Sequence, residues 1–123
     1  MKVLYVEHDE DNLYMLKRRL ERCGDFEVFT AEDSGHGYNL AMTEHPDVIL
    51  MDLEMPIMDR WEPLRTLKKN PQTRNIPIIG MSAYAEASEG EKAIATGCDA
   101  FDAKPIEFEH LLATVRRVLA KPK

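Results

Sequence analysis

Cysteine is scarce in this chain: Cys23 and Cys98 are the only two, and their spacing matches neither a metal-binding nor a redox motif. Two small free thiols in a reducing cytoplasm are expected. No apolar run approaches the roughly 20 residues of a membrane span. The opening Met1-Lys2-Val3-Leu4-Tyr5-Val6 reads as a strand and not as a signal peptide. Positive charge is in deficit, 16 Lys and Arg against 22 Asp and Glu for a net charge of −6, which argues against nucleic acid as a direct partner. Repeats, low-complexity tracts and linkers are also missing. Only Lys121-Pro122-Lys123 has the composition of a frayed tail, so one domain is expected over residues 1–120, with 121–123 as its tail.

What is present is an ordinary core-forming composition, 44% apolar over 123 residues, patterned as alternating strands and helices. The centre of the pattern is Val48-Ile49-Leu50-Met51-Asp52, an apolar run ending in a carboxylate. Four consecutive apolar residues suit a strand buried on both faces, and such a strand can carry a charge only where it leaves the sheet. The residues that follow, Met55-Pro56 and Met58-Asp59, are turn formers.

Val3 to Val6 is a second short buried strand, emptying into Glu7-His8-Asp9-Glu10-Asp11, whose acids suit a helix start. The helix after it carries Leu13, Leu16 and Leu20 on one face and Tyr14, Met15, Arg18 and Arg22 on the other, and ends at Cys23-Gly24. Glu27 to Thr30 is a strand. Asp33 or Ser34 can cap the next helix, whose first turn is weakened by Gly35 and Gly37 and which His45-Pro46 breaks. Trp61, Leu64 and Leu67 space a third helix, with Pro63 tolerable in its first turn. Ile76 to Met81 is a fourth strand ending at Ser82, with Pro77 near its start. Glu86 to Thr96, rich in Ala and Gly, is the weakest helix, with Ile94 as its expected apolar anchor. Ala100 to Ala103 is a short strand ending at Lys104-Pro105, and Phe108, Leu111, Leu112, Val115, Val118 and Leu119 stripe a last helix.

Five strand–helix alternations predict an α/β fold, a doubly wound parallel sheet with helices on both faces. Ligands of such sheets bind at the carboxyl ends of the strands, which here bear Glu7, His8 and Asp9, then Asp52, Ser82 and Lys104. A carboxylate can attack phosphorus to form an aspartyl phosphate. The transfer then needs positive charge and positioning on the phosphoryl oxygens. Asp52 as nucleophile, Lys104 as cation and Ser82 as hydroxyl donor match these roles. His36, His45, His110 and the pairs Lys68-Lys69 and Arg116-Arg117 read as solvated surface.

Over Met1 to about Ala120 the chain resembles the receiver domain of two-component response regulators. The resemblance rests on Tyr5-Val6-Glu7, Ile49 to Pro56, Met81-Ser82-Ala83 and Lys104-Pro105, and its overall character is similar to single-domain regulators of the cell-division type. It implies a flavodoxin-like strand order 2-1-3-4-5, Asp52 as phosphoacceptor, and Lys104 as phosphate partner. It also implies Ser82 and Phe101 as the switch pair and a cis Lys104-Pro105 bond. Mg²⁺ would be held by Glu7, Asp52 and the Glu54 backbone carbonyl. The implied partners are a histidine kinase or histidine phosphotransferase docking on Tyr14, Met15 and Arg18, and a downstream protein target, with a homodimer as a further expectation.

Two residues depart from the family pattern. His8 stands where a second acid is usual, and Arg60 where glycine is usual in the loop beyond Asp52. Both put positive charge beside the cation site, so weakened Mg²⁺ binding is expected. Asp9 is a candidate replacement acid, and Mn²⁺ or Zn²⁺ is an alternative ion through a neutral His8. The functional expectation is a stand-alone phosphoacceptor, not an enzyme in its own right but expected to assist its own phosphorylation and dephosphorylation. Its rivals are a degenerate receiver that signals by binding alone, and a small phosphohydrolase using Asp52 and Glu54.

Overall fold

A computed structural model describes residues 1–54, 61–83 and 87–121. Five strands alternate with five helices: β1 (Lys2–Val6), α1 (Glu10–Arg22), β2 (Glu27–Ala31), α2 (Ser34–Glu44), β3 (Val48–Asp52), α3 (Glu62–Lys69), β4 (Ile78–Ser82), α4 (Ala87–Thr96), β5 (Ala100–Ala103) and α5 (Phe108–Ala120). The strands form one sheet in the order β2-β1-β3-β4-β5, every pair parallel. The expected topology is therefore the observed one. The turn residues Met55, Pro56, Met58 and Asp59, and Arg60 with them, lie outside the described residues.

Two-residue periodicity in the strands divides the core into two layers. Val3, Tyr5, Leu50, Ile79 and Met81 face α1 and α5, meeting Leu13, Leu16 and Leu20 from one helix and Leu111, Val115 and Val118 from the other. Leu4, Val6, Ile49, Met51 and Ile78 face the opposite way, against Ala41 of α2, Leu64 and Leu67 of α3, and Ala93 of α4. All five residues of β3 and of β4 are buried, the apolar runs as strands covered on both faces and Asp52 and Ser82 as the polar residues at their exits.

Two glycines permit close packing. A Cβ on Gly37 would lie 2.7 Å from Val6 Cγ2, so this position, expected only to weaken α2, lets the helix rest directly on β1. A Cβ on Gly80, in the middle of β4, would lie 2.9 Å from both Cys98 Sγ and Leu53 Cδ1.

Two local expectations are corrected, and one choice left open is settled. Pairing of β4 starts at Ile78, two residues later than the apolar run suggests, because Pro77 precedes it. The Ile78 amide donates to Asp99 Oδ2 at 2.9 Å, and the Pro77 carbonyl accepts from the Ile49 amide at 2.9 Å. α4 is anchored by Ala93, which is fully buried, while Ile94 is half exposed. A small residue on the inner face brings the helix axis close to the sheet, and rotation by one residue turns Ile94 outward. α2 is capped by Asp33, whose Oδ1 accepts from the His36 amide at 2.7 Å, and not by Ser34.

Candidate phosphoacceptor site

Four strand ends assemble the site. β1 delivers Glu7 and His8, β3 delivers Asp52, β4 delivers Ser82, and β5 delivers Lys104. The pairing of Ser82 with Ala103, and the Lys104 amide donating to the Ser82 carbonyl at 2.9 Å, place β5's lysine at the same edge as β4's hydroxyl. Glu7, Asp52 and Ser82 are buried.

The two carboxylates are bridged on both sides. Lys104 Nζ lies 2.8 Å from Glu7 Oε1 and 3.2 Å from Asp52 Oδ1. On the other side His8 Nδ1 lies 3.0 Å from Asp52 Oδ2 and 3.3 Å from Glu7 Oε2. The Tyr5 hydroxyl donates to Glu7 Oε1 at 3.0 Å, and the Glu54 amide donates to Asp52 Oδ1 at 2.9 Å. Such charge-assisted contacts offset the desolvation of two buried carboxylates.

The same contacts set the titration of the groups. Burial, with the adjacent Asp52, raises the Glu7 carboxyl against the pull of Lys104. Burial alone would raise Asp52 too, but its hydrogen bonds to Glu7 and the Glu54 amide, with Lys104 beside it, hold it below the usual carboxylate range. Burial opposes the charge on Lys104, yet Glu7 and Asp52 outweigh it and hold the ammonium charged. Asp52 is thus a carboxylate held toward its ionised form beside a charged ammonium. Burial and Glu7 push the Tyr5 hydroxyl up, so it stays a proton donor.

Among the described residues, Glu7, His8 and Asp52 are the group whose donor atoms converge as a metal site would require, all within 4.8 Å of one another. Two buried carboxylates suit a divalent cation, but the third donor is a nitrogen where Mg²⁺ prefers oxygen. Asp9 is not among these converging donors. Its Oδ1 accepts from the Asp11 and Asn12 amides at 2.9 and 3.3 Å, so the carboxylate is used as the N-cap of α1. The acid one residue beyond His8 is held by its helix and not by the site.

The structure adds contacts that the sequence reading did not name. The Tyr5 hydroxyl could have been anticipated, since residues i and i+2 of a strand share a face. The Ala83 amide donates to both oxygens of the Glu54 carboxylate, 3.1 Å each, tying the ends of β3 and β4 together. Asp102 Oδ1 lies 2.9 Å from His110 Nδ1 across β5 and α5. Neither pairing has a local signal. Phe101 is half-buried against the β4 side of the core, near Gly90 of α4. The Lys104-Pro105 bond is cis.

Beside the site, Tyr14 and Met15 are exposed by 61% and 60%. Arg18 Nη1 donates to the Tyr14 hydroxyl at 2.9 Å. A cavity of about 430 Å³ runs from Met15, Leu16 and Arg19 to Ala83, Lys104 and Pro105, so one face of α1 shares a cavity with the lysine of the site. Among the described residues no helix is long and apolar enough to cross a membrane.

Comparison with known proteins gives a consistent result. Residues 3–116 match the family model of the response regulator receiver domain. The polar-differentiation response regulator DivK of Brucella ovis is 31% identical over 117 residues, covering 95% of this chain and 94% of that protein. The chemotaxis protein CheY4 of Vibrio cholerae superimposes with a TM-score of 0.87 at 28% identity, covering 95% of this chain and 97% of that one. The receiver domain of the sensor histidine kinase PA1611 from Pseudomonas aeruginosa PAO1, described with a magnesium ion coordinated in its active site cleft, superimposes with a TM-score of 0.86 at 25% identity. That match covers 98% of each chain.

Proposed function

This chain belongs to the response regulator receiver family, and from that membership we propose that Asp52 is its phosphoacceptor. Receiver domains take phosphoryl groups from histidine kinases or phosphotransferases and bind Mg²⁺ in an acidic pocket. The observation that carries the assignment is the buried Asp52 at the end of β3, its carboxyl held below the usual range, with Lys104 Nζ 3.2 Å from its Oδ1. In the transfer, an Asp52 oxygen forms the new P–O bond as the donor's P–N bond breaks, and the donor imidazole keeps the electron pair. Lys104 neutralises charge on the phosphoryl oxygens, and Ser82 supplies a hydroxyl donor beside them. A divalent cation bound by Glu7, Asp52 and the Glu54 carbonyl would add Lewis-acid stabilisation to the same oxygens.

The output is read as a change of protein contacts. Ser82 and Phe101 form the switch pair, and α4 with its exposed Ile94 is the element they move. The exposed side of α1, with Tyr14, Met15 and Arg18, is the docking face for the phosphodonor, supported by the cavity that joins Met15 to Lys104. The same groups give the chain a part in its own phosphorylation and dephosphorylation.

Intact mass after incubation with a small phosphodonor and a divalent cation tests the assignment. Wild type should gain one phosphoryl group and Asp52→Asn none. No adduct on wild type would favour a receiver that signals by binding alone.

A further inference from the structure

We propose that the cation site of this chain selects a borderline first-row ion such as Co²⁺, Ni²⁺ or Zn²⁺ over Mg²⁺, with His8 Nδ1 as a direct ligand beside Glu7 Oε2 and Asp52 Oδ2. The proposal rests on the reading above that this edge holds a divalent cation. It adds which ions the edge accepts, and hence which ions license phosphorylation.

The oxygens are divided between two sides. Glu7 Oε1 and Asp52 Oδ1 face Lys104, and take the Tyr5 hydroxyl and the Glu54 amide as well. Glu7 Oε2 and Asp52 Oδ2 face His8, and the Asp9 amide lies a long 3.4 Å from Oε2. Both carboxylates are buried and anchored, so they present these two oxygens at fixed positions. The His8 side chain is 45% exposed, which leaves that side open for an ion to enter with its waters.

The spacing is that of a coordination shell. Ligands bound at about 2.1 Å stand about 3.0 Å apart along an octahedral edge and about 3.4 Å along a tetrahedral one. His8 Nδ1 stands 3.0 Å and 3.3 Å from its two oxygen neighbours. The imidazole is thus spaced from each oxygen as a shared ion would require, and the three donor atoms lie within 4.8 Å of one another.

Donor chemistry then decides the ion. Mg²⁺ sheds water reluctantly and prefers oxygen, whereas imidazole nitrogen favours the borderline ions in the order of their ligand affinities. Charge acts the same way. Two carboxylates facing one ammonium offer less negative charge to a hard ion than a site with a third acid would, and a nitrogen lone pair suits a borderline ion better than Mg²⁺.

The test is calorimetry of the full chain with MgCl₂, CoCl₂ and ZnCl₂ at one fixed pH, paired with Zn²⁺ titration of ¹⁵N-histidine-labelled protein observed by NMR. Wild type should bind Co²⁺ and Zn²⁺ about a hundredfold or more tightly than Mg²⁺. The His8 Nδ1 resonance should move on Zn²⁺ addition, while those of His36, His45 and His110 stay in place. His8→Asp should lose most of that preference, and His8→Ala should weaken Zn²⁺ while leaving weak Mg²⁺ binding. Equal affinities for Mg²⁺ and Co²⁺ in wild type, or an unmoved His8 Nδ1 at saturating Zn²⁺, would overturn the proposal. Phosphorylation by intact mass separates the two readings. A moved Nδ1 with no Asp52 adduct under any ion upholds this site and removes the phosphoacceptor. An adduct formed with Mg²⁺ while Nδ1 is unmoved does the reverse.

Discussion

Lys104 Nζ sits 2.8 Å from Glu7 Oε1, joining residues 97 positions apart at the carboxyl edge of the sheet. The bond holds β5's exit against β1's exit, and it lets a buried glutamate and a buried aspartate share one cation. Removing Lys104 would leave two buried carboxylates with His8, the Tyr5 hydroxyl and the Glu54 amide to offset their charge, which is costly.

Lys104→Ala should therefore destabilise the fold by on the order of 3 kcal/mol at neutral pH, measured by urea unfolding. It should also abolish the Asp52 adduct from a small phosphodonor. A variant as stable as wild type would show that Glu7 and Asp52 do not depend on the ammonium.

Alkaline pH should unfold the protein in a way Cys98 helps to set. Burial pushes its thiol from 9.0 up to about 12, so the folded state keeps a proton that the unfolded chain releases. Stability should therefore fall as pH rises from the unfolded value through the folded one, by roughly 1.4 kcal/mol per pH unit from this group. The raised Tyr5 and Lys104 groups act in the same direction, their contributions lost as pH passes above their unfolded values. Urea midpoints between about pH 8.5 and 10.5, spanning the reference thiol and phenol values, should slope less steeply in Cys98→Ala than in wild type. Parallel slopes would remove Cys98 from the account.

Packing at the middle of β4 is tested by Gly80→Ala. A methyl 2.9 Å from Cys98 Sγ and Leu53 Cδ1 must push both aside, at a cost of about 1–3 kcal/mol. The double variant Gly80→Ala with Cys98→Ala should recover part of that loss. No coupling between the two would mean that Leu53 alone takes the strain.

Docking is tested by Met15→Glu. The side chain is exposed at the mouth of the cavity that reaches Lys104, so the change should leave stability unaltered and slow transfer from a histidine kinase or phosphotransferase at least about tenfold. Transfer from a small donor should be unaffected. Equal loss from both donors would place the effect in the fold instead of the interface.

The switch is tested by hydrogen exchange. α4 meets the sheet through Ala93, with Ile94 outside and Gly90 opposite the Phe101 ring, so it has little apolar anchorage to lose. Phosphorylation of Asp52 should change amide protection across Ala87–Thr96 and at Phe101. Unchanged protection there, in protein shown by mass to be phosphorylated, would refute the switch.

Much of this was legible in the residues alone because it is local. An unbroken apolar run ending in Asp52 must be a buried strand with its charge at the exit, and five such alternations leave few topologies other than a parallel sheet. The stripes of α1 and α5, the exposure of Tyr14 and Met15, and the convergence of Glu7, Asp52, Ser82 and Lys104 on one edge follow from periodicity and connection rules. Tertiary structure decided what periodicity cannot carry. Asp9 lies one residue from His8, yet its carboxylate caps α1 while His8 Nδ1 stands between Glu7 and Asp52, an outcome set by how β1 enters its helix. Ala93, and not the larger Ile94, anchors α4 because the helix turns Ala93 into the core and leaves Ile94 half exposed. The Glu54 carboxylate meets the Ala83 amide, and Lys104 meets Glu7, only because strand order brings distant chain ends together. A sequence states which groups each element can offer, whereas partners across the sheet are chosen by register and packing, which no single element contains.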